Sequence, residues 1–175
     1  DFRAGNGFIS RPGIVRANIP PYRTFYGGEG ALVESFTAGI VLDGTWQYQK
    51  FIHGDGIQDK KLHLNLNGAL RGGWNLAAGY YLETFGYDEG LYANYFLGTP
   101  DGSGGTSFVP FTGQPTINNG DFYANVSTPT FRSFNASVFL LYGFDENFPE
   151  WASGELFIIQ GAVSVAPAQI AEATG

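Results

Sequence analysis

The chain has 175 residues, enough for one domain with a core of its own. Its net charge is −7 and its nine Lys and Arg are scattered without a basic patch, which argues against a nucleic-acid partner. Cysteine is absent, so there is no disulfide framework and no thiolate metal site, and no apolar run reaches the roughly 18 residues that a membrane-crossing helix needs.

What remains is a β-type composition. Charged residues are only 14%, aromatics reach 17%, and there are 26 glycines. An outer-membrane barrel has this bias, with Tyr and Trp at the lipid interfaces and Gly in the turns. A secreted soluble β-protein shares it. Methionine is absent even at position 1, and no secretory signal is visible. A processed form or a fragment is therefore expected.

In chain order, 1–13 reads as a loop, and Ile14 to Tyr26 as an extended segment bent at Pro20-Pro21, which cannot donate ladder hydrogen bonds. A turn at 27–30 leads to a long strand over Ala31 to Lys50, with Phe36, Ala38, Ile40 and Leu42 on one face and Ser35, Thr37, Gly39 and Asp43 on the other. A polar loop is expected over Phe51 to Lys60. Lys61 to Phe85 then carries the clearest signal. Leu62, Leu64, Leu66 and Leu70 alternate with His63, Asn65, Asn67 and Arg71. After Gly72-Gly73, the residues Trp74, Leu76, Ala78, Tyr80 and Leu82 resume the apolar set, against Asn75 and Glu83. Period-two alternation on both sides of a two-residue Gly-Gly link predicts an antiparallel hairpin with one apolar and one polar face.

A turn is expected at 86–90, a strand over Leu91 to Leu97, and a long irregular loop over 98–120. Strands follow at Asp121 to Ser127, at Ser133 to Tyr142, and at Trp151 to Val165, the last apolar on both faces in its middle. The whole is one all-β antiparallel meander of about eight strands over 1–166, with a small-residue tail over 167–175. Short turns and long loops on opposite sides suit a membrane β-barrel or a portion of one. A soluble β-sandwich or jelly roll is the alternative. Aromatics at strand ends (Trp46, Tyr48, Phe51, Trp74, Phe85, Tyr87, Phe144, Phe148 and Trp151) read either as interfacial girdles or as ordinary cross-strand pairs.

Few residues suggest chemistry. His53, Asp55 and Asp59 share a glycine-bearing loop without EF-hand spacing, and Asp145, Glu146, Asn147 and Glu150 cluster near a turn, as do Asp88 and Glu89. Each reads as a solvated acidic loop, with a divalent-cation site as the alternative. His63 beside Asn65 lacks the partners of a zinc site. Glu34, Asp43, Glu83 and Glu155 fall in strands, and a glycosidase pair among them depends on pairing that one sequence does not reveal. Asn125 and Asn135 sit in sequons inside strands, where glycosylation is not expected. No nucleophile elbow or phosphate loop occurs. No catalytic, cofactor-binding or metal-ligating residue is therefore assigned. The expectation is a protein that is neither an enzyme nor a carrier of a cofactor.

The phrases GNGFISRPGI (Gly5 to Ile14), GGWNLAAGYYLETFGYD (Gly72 to Asp88) and GFDENFPEW (Gly143 to Trp151) resemble segments of large bacterial outer-membrane barrels. The family in question joins a carbohydrate-binding-module-like domain to a β-barrel domain of unknown function, and a GFI-x-R phrase there precedes the barrel strands. The resemblance spans most of 5–166 and implies a barrel fold in the outer membrane. It brings no catalytic motif and no site residue. Two departures stand out: the N-terminal domain has no counterpart, and the chain ends in AEATG rather than in a terminal aromatic. A portion of a longer barrel, or a different protein with similar hairpins, is expected.

The expected function follows: an outer-membrane wall element, structural or pore-like, whose main partner is the lipid bilayer, with Leu62, Leu64 and Leu66 toward lipid and Asn65, Asn67 and Arg71 toward the lumen. The alternative is a secreted or cell-surface β-sandwich that binds carbohydrate or joins other chains in a larger assembly.

Overall fold

The computed structural model describes residues 13–165. It is all-β and antiparallel. The ten strands are β1 (Ile14–Ile19), β2 (Tyr22–Tyr26), β3 (Val33–Gln47), β4 (Asp59–Leu70), β5 (Trp74–Gly86), β6 (Phe96–Pro100), β7 (Thr106–Pro110), β8 (Thr116–Ser127), β9 (Phe134–Asn147) and β10 (Ala152–Val165). Two short helices are α1 (Tyr48–His53) and α2 (Glu89–Tyr92). Eight strands form one sheet in the order β1, β3, β4, β5, β8, β9, β10, with β2 also on β3. Strands β6 and β7 pair only with each other.

The bend at Pro20-Pro21 splits the first extended segment into β1 and β2. Both lie on the same side of β3, pairing with its residues 42–47 and 35–39 respectively. Together they are one broken strand, as expected where two successive residues have no ladder donor. From β3 onward the sheet is a meander, interrupted once by the β6–β7 hairpin. It does not close on itself among the described residues.

Residues 27–32, 71–73 and 128–133 make short turns at one end, while the two long connections, 48–58 and 87–115, lie at the other together with the short turn 148–151. Segment 87–115 is the longest and contains α2 and the separate hairpin.

Several elements differ from the sequence reading. The β4–β5 turn has three residues, because Leu70 pairs with Trp74. Both glycines in it take positive φ, 89° at Gly72 and 85° at Gly73, which a side chain would resist. Arg71 therefore leaves the polar face of β4. Its guanidinium donates to the Gly30 carbonyl at 3.0 Å in the neighbouring turn. The expected loop over 51–60 begins instead with α1, which stops at Gly54 in the left-handed region, where Gly54 N donates to the Phe51 carbonyl. The expected strand over 91–97 is a helical turn followed by β6. Asp88 caps that turn by accepting from Gly90 N at 3.1 Å. Most of the expected 98–120 loop is strand, because Asp101 folds a tight turn that joins β6 to β7, and β8 starts at Thr116. Strand β9 runs on to Asn147, so the last turn is 148–151. The loop expected over 1–13 (apart from Gly13) and the tail over 167–175 lie outside the described residues.

A small aromatic core closes the end with the long connections. Phe85, Tyr92, Ile117 and Trp151 are buried there, with Tyr87 and Phe111 packed against them. Trp151 takes φ 48°, the one positive φ at a residue other than glycine among the described residues. It is held by a hydrogen bond of 2.6 Å from its indole N–H to the Gln114 carbonyl. Phe85 and Trp151 thus pack in a core rather than standing on a rim.

Candidate functional surfaces: a polar concave face and an uncovered apolar face

Strand alternation, carried across the pairing register, sorts side chains into two sets. On one face the register aligns Ile40, Leu64, Tyr80, Phe122, Tyr142 and Phe157 in a single row across six strands. The parallel row one step away holds Ala38, Leu66, Ala78, Ala124, Leu140 and Ile159. Large side chains of the first row keep between 39% and 61% of their surface accessible. No second layer covers them among the described residues.

The opposite face carries the polar groups. Asn18, Asp43, Lys61, Glu83 and Asn119 stand side by side on five strands. Asp43 Oδ2 accepts from Arg16 Nε and Asn18 Nδ2, each at 2.8 Å. Glu83 Oε1 lies 3.0 Å from Lys61 Nζ and 2.7 Å from His63 Nε2. Asn119 donates to Glu146 Oε2 at 2.7 Å and accepts from Ser153 Oγ at 2.9 Å. One step toward the short turns, the His63 and Tyr81 rings pack at 4.2 Å, Tyr81 meets Tyr123 at 5.3 Å, and Tyr123 donates to Asn65 at 3.0 Å. A belt of paired charges and amides thus crosses the sheet from β1 to β10.

The two faces differ in exposure. Leu82 is 44% exposed, while the side chain of its neighbour Glu83 is 11% exposed. A flat sheet without a second layer would expose both alike. The polar face is therefore the concave one, where side chains from successive strands converge. Gly79 serves this crowding: a Cβ there would lie 2.2 Å from the Tyr123 ring.

Of the acidic residues singled out in the sequence, Asp145 and Glu146 stand near enough to Glu83 for their charges to act on one another, with Asp121 beside them, and the others lie apart from this group. Asp43 and Glu83 share the polar row, but Lys61 stands between them on β4. Glu155 pairs opposite Phe144, on the apolar side, and accepts from the Tyr142 hydroxyl at 3.0 Å. Glu34 sits in the bulge between Val33 and Ser35. Asp59 accepts from Gly86 N at 3.2 Å and pins β4 to β5, while His53 belongs to α1. Asn147 donates to Glu150 at 3.0 Å within the last turn. Among the described residues no group of three or more His, Cys, Asp or Glu is placed to hold a metal ion. Asn125 donates to the Val138 carbonyl at 3.2 Å, inside the β8–β9 pair.

Two features escaped the sequence reading. The Asn119–Glu146–Ser153 triad joins three consecutive strands, β8, β9 and β10, through side chains that no local pattern links, and the aromatic core draws on four separate segments. Only the run of aromatics near residues 85–95 hinted at the core. No protein family, curated protein sequence or solved structure matches the chain.

Proposed function

We propose that this sheet is wall of a bacterial outer-membrane β-barrel, with a structural or pore-like role. The observation that carries the reading is the uncovered apolar face opposite a concave polar one. The buried hydrophobic core among the described residues is four side chains. Apolar rows that cross six strands need another apolar phase, and lipid supplies one without a partner chain. The strands hold 12–15 residues from β3 to β5 and from β8 to β10, enough to cross a hydrocarbon layer at a tilt. On this reading the rows containing Leu64 and Leu66 face lipid. The belt around Glu83 faces the lumen, and the long connections gate or contact solutes.

A second reading is favoured by the open sheet: the same rows seat a second sheet or a neighbouring subunit of a secreted or surface assembly, and exposed aromatics stack on sugars. Flotation with lipid vesicles separates the two. The barrel reading expects the full chain to float with the vesicles and to need detergent for extraction. A monodisperse chain in detergent-free buffer that stays out of vesicles overturns it.

A further inference from the structure

The sheet has two edges, and they are built differently. One edge, β1 and β2, is short, interrupted by Pro20-Pro21, and carries Arg16 and Arg23. Those are the devices by which natural sheets prevent edge-to-edge pairing. The other edge, β10, has 14 residues in regular register with β9, and from Leu156 to Val165 it has neither a charge nor a proline. Its outer backbone groups meet no strand among the described residues. Leu156 and Ile158 are apolar on the concave side, and Phe157 and Ile159 on the convex side. An edge that is long, uncharged over its last ten residues and apolar on both faces from Leu156 to Ile159 is one that expects a partner.

Strand direction identifies the partner. Every pairing in the sheet is antiparallel, and its order has seven ranks, with β1 and β2 together as the first. With an odd number of ranks, the first and the last run the same way. Closing β10 onto β1 and β2 would therefore make a parallel seam. A second copy inserted with its long connections on the same side has the same defect, since both of its edges also run parallel to β10. A flipped copy would pair antiparallel, but it would put long connections on both sides of the sheet.

We propose that the outer edge of β10 is an assembly seam that receives one extended strand, or an odd number of strands, running antiparallel to it and belonging to a further stretch of barrel wall. This rests on the barrel reading. The incoming strand is uncharged in its middle and carries apolar residues at alternate positions, which extend the rows that now end at Phe157 and Ile159. Adding it makes the number of ranks even, as in bacterial single-chain barrels.

The test uses the full chain in detergent micelles and a synthetic peptide with the β9 sequence, Phe134 to Asn147, which already pairs antiparallel with β10 on its other side. Amide hydrogen exchange is read residue by residue. The expected result is that alternate amides between Leu156 and Val165, those facing away from β9, slow by about tenfold or more. The β9-facing amides and those of β1 and β2 stay unchanged, and a scrambled peptide has no effect. Any of three results overturns the proposal: no response to the peptide, outward amides already protected in a monomer without it, or protection that comes with a doubled mass. Vesicle flotation is read separately. A chain that floats but ignores the peptide keeps the membrane reading and loses the seam. A chain that pairs with the peptide but stays out of lipid keeps the seam and loses the membrane.

Discussion

His63 Nε2 and Glu83 Oε1 lie 2.7 Å apart across the β4–β5 pair, and Lys61 Nζ reaches the same oxygen at 3.0 Å. One carboxylate oxygen thus serves two donors on the neighbouring strand, in a side chain only 11% exposed. Glu83→Gln keeps the shape and removes the charge. It should lower unfolding stability by about 1–2 kcal/mol, since Lys61 loses its counter-charge on the crowded face. The unfolding midpoint in denaturant measures this. A variant as stable as the parent would show that the contact contributes nothing.

Gly79 and Tyr123 make a second cross-strand relationship, on β5 and β8. A Cβ at Gly79 would meet the Tyr123 ring at 2.2 Å and the Leu64 carbonyl at 2.5 Å. Because one of these neighbours is backbone, rotating the ring alone does not relieve the clash. Gly79→Ala should cost about 1–3 kcal/mol and disturb the hydrogen bond from Tyr123 to Asn65. Denaturant unfolding, together with the amide spectrum around Asn65, reads both effects.

Trp151 anchors the last turn. Trp151→Phe retains the aromatic packing against Tyr87 and Tyr92 but leaves the Gln114 carbonyl without its indole donor. The expected loss is about 1–2 kcal/mol, and Trp151→Ala, which also opens a cavity, should lose about 3–5 kcal/mol. The ordering Phe before Ala is the check. Equal losses would mean that the hydrogen bond carries the whole effect.

The turn between β6 and β7 should be resistant to acid. Asp101 Oδ1 accepts from Ser103 N at 2.9 Å, from Ser103 Oγ at 2.8 Å and from Gly105 N at 2.9 Å. These bonds, the Ser103 amide first among them, hold its carboxyl below the ordinary aspartate range. A depressed pKa contributes stability that is complete above the unfolded value and disappears as pH falls through the lower folded value. The Ser103 and Gly105 amide resonances should therefore stay in place as pH passes ~4 and move only below it. Movement centred at the unfolded value would count against the bonding.

The apolar rows give the sharpest substitution test of the membrane reading. Leu64→Lys puts a charge in the middle of the row shared with Ile40 and Tyr80, and in vesicles it should cost about 2–4 kcal/mol. Asn67→Lys, on the polar face of the same strand, should be nearly neutral. Equal effects of the two, in vesicles or in buffer, would remove the distinction between the faces.

The β4–β5 hairpin shows how far local pattern reaches. Its strands, its turn position and the separation of Leu62, Leu64 and Leu66 from His63, Asn65 and Asn67 all follow from period-two alternation around two glycines, because successive side chains on a strand point to opposite faces. The break at Pro20-Pro21 was equally legible, since it depends on missing donors in the residues themselves. By contrast, the stretch from Asp88 to Gly120 misled. Its α2 cap, its Asx-type turn at Asp101 and the β6–β7 pairing are decided by contacts of single side chains, which no periodicity announces.

The sequence by itself determined that the chain is β-type, where most strands run, and which residues share a face. Tertiary structure alone decided which rows join across strands, that the polar face is the concave one, that Phe85, Ile117 and Trp151 meet in one core, and that the two edges of the sheet run parallel. Each of these depends on pairing between residues distant in the chain. The hydrogen-bonding groups that make such pairs are the same at nearly every residue, so the order and direction of strands are settled only when the whole sheet assembles.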